Sequence, residues 1–298
     1  PRSKGSRSVS MLTSRGCPHQ CVFCSIQATM GYKWRHNTAD YVKRHVTHLI
    51  DNYQIDYVHF EDDNFTHDPV RYEAILDALI ELPESIRWDT PNGVRGDTWT
   101  LDLVKKTKTS GCQYLIVAIE SGVQRVIDEV VKKRLDLKKV DDLMRFCKSE
   151  KLKLFAFYVA GLPGESRDDL QATMTYALER FRRYDVLPTI NKIKTLPGTE
   201  LHEIVSEGKF YGDEMSDEEN TLYTPEFDPQ LIDHLFVGYF RRLMVIAFLK
   251  GLTKPVLMAS FLRLLLAYRW YFKSVLARIL KAIFSSNEFG KLGWLTNR

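Results

Sequence analysis

Cys17-Pro18-His19-Gln20-Cys21-Val22-Phe23-Cys24, entered through Ser14-Arg15-Gly16, decides how the rest of this 298-residue chain is read. Three of the five cysteines stand at C-x3-C-x2-C spacing, while Cys112 and Cys147 stand alone. Lone cysteines usually serve as small buried apolar side chains, so a group this tight needs another reason. Three thiols leave one odd for disulfide pairing, and a cysteine-poor chain of this length is no disulfide scaffold. Zinc asks for a fourth ligand, for which His19 and His36 are at hand. A 4Fe–4S cluster on three thiolates fits best, and it leaves the fourth iron open to a ligand from outside the protein.

Outward from that loop the sequence alternates strand and helix. Residues 8–13 form a short apolar run that delivers the cysteines. Residues 55–60, 86–90, 114–119, 154–159 and 189–195 carry the β-branched, aromatic or continuous apolar character of further strands. Between them, helical patterns fall at 38–52 with Asn37 or Thr38 as N-cap, 68–82 opened by Asp68-Pro69, 101–110 stopped by Gly111, 123–131, 137–150 and 167–184. No hairpin signal separates the strands, so the connections demand parallel pairing with right-handed crossovers. Six such units fall short of the eight that close a barrel. Glycine-containing and polar turns follow the strands, at the end where such folds place their chemistry.

Three stretches resemble the radical SAM superfamily, and within it the branch whose members usually carry an N-terminal cobalamin-binding domain. They are Gly16-Cys17-Pro18-His19-Gln20-Cys21-Val22-Phe23-Cys24-Ser25, His59-Phe60-Glu61-Asp62-Asp63-Asn64-Phe65 and Ala118-Ile119-Glu120-Ser121-Gly122. The resemblance runs from about residue 8 to residue 201. It implies an α/β fold, a partial (β/α)6 TIM-like barrel, here with a C-terminal α-helical extension. It implies that Cys17, Cys21 and Cys24 hold a 4Fe–4S cluster whose open iron takes S-adenosylmethionine (SAM). One electron then yields methionine and a 5′-deoxyadenosyl radical for C–H activation, so the cofactors carry the hard chemistry. By the same resemblance Phe23 lies near the adenine. Asp62, then Asp63, lies beside the SAM amino group, and charge-assisted bonds suit that task. Glu120 with Ser121 contacts the ribose or methionine part, and Lys132 pairs with the carboxylate. Gly161 and Pro163 belong to the turn under the adenine.

The residues leave other readings beside these. The acid pair is also a solvated turn, and Arg95 either faces the pocket or pairs with the acids. Lys132, Lys133 and Arg134 cannot be told apart by spacing. Glu120 ends an otherwise apolar run and needs a partner if buried.

The formal charge of +4 conceals an asymmetry: from residue 231 onward eleven Lys/Arg face two Asp/Glu, a net +9, which leaves −5 for the rest. Three regions follow: a core over 1–207, an acidic linker over 208–229 and a basic helical region over 230–298. The basic region is expected either to pack as helices or to lie on a membrane surface through Lys273, Arg278 and Lys281 with neighbouring aromatics; its uncharged runs are too short to span a bilayer. The chain opens on Pro1 rather than Met and reads as a fragment lacking an upstream domain. No D-x-H-x-x-G cobalamin pattern occurs, so cobalamin enters only through that missing domain. Cysteine usage suits a reducing cytoplasm, with the inner membrane face as the alternative setting for the tail. The expected partners are a flavodoxin- or ferredoxin-type electron donor and a small-molecule, lipid or tetrapyrrole substrate; nucleic acid is not expected. The parent enzyme is expected to be a cobalamin-dependent methyltransferase. The alternatives are a cobalamin-independent or cyclase-type radical oxidoreductase and, from another class, a non-catalytic iron–sulfur or zinc module.

Overall fold

The structure, a computed structural model, describes residues 7–208 and 229–253. The acidic linker and the basic aromatic stretch past Thr253 lie outside the described residues. The chain divides into two compact units, Pro1–Pro229 and Gln230–Arg298.

In the first unit the elements run β1 (Ser8–Met11), β2 (Ser14–Arg15), α1 (Ile26–Met30), β3 (Arg35–His36), α2 (Ala39–Tyr53), β4 (Tyr57–Phe60), α3 (Pro69–Ile80), β5 (Arg87–Asp89), α4 (Leu101–Thr109), β6 (Tyr114–Glu120), a π-helical turn (Val126–Val130), α5 (Leu137–Glu150), β7 (Lys153–Ala160), α6 (Arg167–Tyr184), β8 (Leu187–Lys192) and α7 (Glu200–Gly208). β1, β4 and β5 pair in parallel, as do β6, β7 and β8. Parallel bridges at Trp88↔Cys112 and Val94↔Val117 stitch the two halves into one series of six strands. No pairing among the described residues joins β8 to β1, so the barrel is partial.

The helices start where the sequence provides caps. Thr38, Asp68, Thr100 and Asp136 each accept from a backbone N–H of the first turn, and Ser166 with Asp169 forms a capping box. The strands alternate between two environments. Val58, Phe60, Trp88, Leu115 and Val117 are fully buried, and Trp88 Nε1 donates to the Ser110 carbonyl at the end of α4, which identifies the helix-covered face. Tyr57, His59, Asp89, Tyr114 and Phe155 share the opposite face. There Tyr57 and His59 both donate to Asp89, at 2.8 Å each, and Tyr114 packs edge-on against Phe155.

Several elements differ from the sequence expectation. The antiparallel pair β2–β3 (Ser14↔His36, Arg15↔Arg35) and the five-residue α1 are too short to leave a period in the sequence. The expected helix over 123–131 is a π-helical turn instead. The last strand lies two to three residues earlier than expected because Pro188 falls inside it; among the described residues β8 pairs only with β7, and an edge strand tolerates proline.

The second unit contributes α8 (Pro229–Thr253), a single 25-residue helix. Among the described residues no helix is long and apolar enough to cross a membrane.

Candidate active site

β1 and β4 run side by side until Met11 and Phe60. Beyond that point side chains take over the pairing, one residue after another. Ser10 Oγ donates to Glu61 Oε1 at 3.3 Å. Asp62 accepts from Thr13 N at 3.1 Å, from Thr13 Oγ1 at 2.7 Å and from Ser14 Oγ. Asp63 accepts from Gly16 N at 2.7 Å. Asn64 Nδ2 donates to Cys17 Sγ at 3.6 Å, an ordinary length for a sulfur acceptor. Four consecutive residues thus hold successive points of the segment that leads into the cysteines. Arg71 closes the same cluster, with Nη2 on Thr13 O and Oγ1 and Nε on Asn37 O. Burial raises the pKa of Asp62, while its hydrogen bonds and Arg71 pull it back.

The resemblance places the acid pair beside the SAM amino group; Asp62 is 1 % exposed and its carboxylate accepts from Thr13 and Ser14 of the segment that leads into the cysteines. Asp63 is likewise committed to Gly16 N.

The loop is shaped by Gly16 at φ +84°, where a Cβ would stand 2.6 Å from the Lys33 carbonyl oxygen. Cys24 N donates back to Cys21 O at 3.0 Å. Val22, between two ligand positions, is buried against Val126, Val131, Leu162, Ile193 and Leu201, and Phe23 packs on the edge of that cluster. Backbone bonds join Val22 to Val131 O (3.1 Å) and Leu201 N to Val22 O (2.8 Å). The apolar residue anchors the loop while its flanking cysteines stay half-buried.

Cys17, Cys21 and Cys24 are free thiols, whereas Cys112 and Cys147 are buried elsewhere. Burial pushes the Cys21 thiol up to about 11; Lys133 opposes that shift and Glu120 adds to it. Burial also raises Cys24. Binding a metal must therefore displace protons that the unloaded loop holds firmly. Among the described residues no three His, Cys, Asp or Glu side chains converge on one point, as mononuclear zinc requires. A cubane spreads its three thiolates over three irons, so three separate thiols on one braced loop fit a 4Fe–4S cluster. The His19 ring lies edge-on to His67 at 5.9 Å, and burial, then Arg95, lowers its pKa to about 4.

The other side of the site is built from charges. β6 slips register between Ala118 and Glu120, and Glu120 sits at φ +74°, a conformation that costs energy without glycine. Its carboxylate, nearly buried, accepts from Lys133 Nζ at 2.7 Å, and Lys133 also donates to Ala118 O at 2.6 Å. Lys132 turns outward and pairs with Glu200, both partly exposed. The fold thus resolves the three adjacent cations: Lys133 faces Glu120 and the cysteines, and Lys132 does not. Positive φ at Lys132 (+59°) and Arg134 (+52°) brackets Lys133 and sets this alternation.

Arg95 forms a two-pronged pair with Asp97 (3.1 and 2.8 Å) and donates to the carbonyls of Lys133 and Arg134 (3.0 Å each). It is a brace for the lysine segment and does not reach the expected acids. Ser121 Oγ bonds Thr173 Oγ1 at 2.9 Å, which docks the end of β6 on α6.

Gly161 and Gly164 both have φ near +88° in the turn after β7, and Leu162 of that turn packs on Val22. Glu165 closes the turn: Oε2 accepts from Gly161 N (2.8 Å) and Leu162 N (3.3 Å), while Oε1 is buried with no hydrogen-bond partner. Burial pushes its pKa up to about 7. Asn64 and Glu165 carry contacts that no spacing in the sequence signals.

Residues 11–177, more than half the chain, match the Radical SAM superfamily, and the chain belongs to that family; it is a radical SAM enzyme. The family implies a 4Fe–4S cluster and SAM. The cytidylyl-2-hydroxyethylphosphonate methyltransferase of Streptomyces wedmorensis is 36% identical over 188 residues, covering 60% of this chain and 34% of that protein. Among solved structures, the radical SAM methyltransferase TsrM of Kitasatospora setae, with cobalamin and a 4Fe–4S cluster bound, superposes with a TM-score of 0.60 at 16% identity over 74% of this chain and 44% of that one. The cobalamin-dependent radical enzyme OxsB gives 0.58 at 13% identity, covering 92% and 54%. These likenesses establish the fold. The chain spans about a third of the curated relative and about half of each solved structure.

Proposed function

We propose that this chain is the radical-generating part of a methyltransferase acting on an unactivated carbon, working with cobalamin carried by a further domain. Supporting the methyl-transfer reading are the methyltransferase relative and the two cobalamin-dependent structural neighbours. The sequence itself holds no cobalamin pattern, so no step is assigned to that cofactor here.

The observation that carries the reading is the pairing of two features: three half-buried thiols on a braced loop, and a buried Glu120–Lys133 ion pair whose charges act on Cys21 and Cys24. Cys17, Cys21 and Cys24 hold the cluster. When bound, it supplies the electron that splits the SAM sulfonium and generates a 5′-deoxyadenosyl radical. Lys133 receives the SAM carboxylate in place of the expected Lys132. Glu120 would accept from hydroxyl or ammonium hydrogens of the same ligand, a role its buried carboxylate suits. The backbone of Gly161 to Pro163 and Phe23 would hold the adenine part. Asp62, Asp63, Arg95 and Ser121 position these groups. A flavodoxin- or ferredoxin-type protein supplies the electron, and the substrate is a small molecule, a lipid or a tetrapyrrole. The test is anaerobic reconstitution with iron and sulfide, reduction with dithionite and addition of SAM. About four irons per chain and release of 5′-deoxyadenosine are expected, both lost in Cys21→Ala; one bound zinc and no nucleoside would overturn the reading.

A further inference from the structure

Asn64 is 4 % exposed, and its amide lies against a ligand position, with Nδ2 3.6 Å from Cys17 Sγ. No other side chain among the described residues is recorded donating to a sulfur of the three-cysteine loop. The backbone that carries the amide is held in place: Asn64 follows directly on Asp62 and Asp63, which are tied to residues 13, 14 and 16, and its own carbonyl accepts from His67 N at 3.3 Å. Its Oδ1 is buried with no hydrogen-bond partner. A thiolate can only accept, so loading the loop favours the N–H side of the amide facing sulfur.

We propose that Asn64 tunes the reduction potential of the cluster by donating an N–H···S bond to the Cys17 thiolate. The proposal rests on the three cysteines carrying a 4Fe–4S cluster. Reduction adds one negative charge to the cluster, and a hydrogen bond to a ligand sulfur stabilises the more negative state. Asn64 therefore raises the potential and brings the cluster within reach of a flavodoxin- or ferredoxin-type donor. The bond falls on Cys17, so the effect is expected chiefly on the iron that Cys17 would hold. Asn64 is a positioning residue in this account, acting through the thiolate rather than on a substrate.

The experiment is an EPR-monitored redox titration of the reconstituted protein without SAM, comparing wild type with Asn64→Leu and Asn64→Asp. Leu keeps nearly the same shape and lacks the donor; Asp places a negative acceptor at the same spot. Both variants are expected to keep about four irons and to shift to lower potential, Asp further than Leu. An unchanged potential in an iron-replete Asn64→Leu protein would overturn the proposal and leave Asn64 a purely structural brace. Should the variants fail to hold iron, wild type labelled with 15N-amide asparagine decides the matter. A 15N coupling in the pulsed EPR spectrum of the reduced cluster supports the bond, and its absence sinks it. A wild-type protein that takes up no cluster fails the functional reading itself, which separates the two outcomes.

Discussion

The two sides of the candidate site are built by opposite means. On the β1–β4 side, the side chains of Asp62, Asp63 and Asn64 use hydrogen bonds to hold the cysteine segment. On the β6 side, Glu120 and Lys133 form an ion pair within a strained stretch, flanked by residues at positive φ. The second side holds two buried charges that offset each other's desolvation, with Ala118 O as a further acceptor for Lys133, an arrangement that gains little stability over apolar packing. On the function proposed above, the acids that look most available in the sequence would serve as braces, and the buried pair would receive a ligand with charges of its own.

The sharpest break of this comparison is Lys133→Met. It strands a buried carboxylate and should cost about 3–5 kcal/mol, read as a large fall in the urea midpoint. Lys133→Met with Glu120→Leu should recover most of that loss and retain iron, yet fail to bind SAM; recovery of SAM binding would end the receptor assignment. Next comes Glu165. Its carboxyl titrates near 4.5 when unfolded and about 7 when folded, so the folded chain binds the extra proton between those values. The stability it contributes is full at and below about pH 4.5, is lost as pH rises through about 7, and amounts to at most about 3 kcal/mol. Glu165→Gln should flatten that slope in thermal melts taken from pH 5 to 8. Asp62→Asn should cost about 1–3 kcal/mol by turning donors on donors. Its mark is lowered iron content, whereas Glu120→Gln should keep iron and weaken SAM binding; the reverse pattern would exchange the two sides. Lys132→Ala removes only a partly exposed pair and should change stability by less than about 1 kcal/mol. A large loss of SAM affinity there would return the carboxylate to Lys132.

The regular elements were legible because each carries its own signal: Thr38, Asp68-Pro69 and Ser166 mark helix starts, and 114–119 is a continuous apolar run. Helix α5 and helix α6 match residue for residue. The site was less legible, for a physical reason. Lys132, Lys133 and Arg134 lie in a segment with alternating signs of φ, where neither the helical nor the strand period tells which side chain turns inward. Asp62 reads as a solvent-facing acid, and only the Thr13–Ser14 segment, some 49 residues away, shows what it holds. Asn64 carries no charge and belongs to no spacing rule, so its place against Cys17 is a property of the packed loops alone.

The hydrogen bond from Leu201 N to Val22 O spans nearly the whole first unit. The central residue of the cysteine loop is therefore tied down only once β8 and the start of α7 are in place. Contacts of such long sequence separation form late in folding. A chain truncated before residue 201 should bind iron poorly even with all three cysteines present.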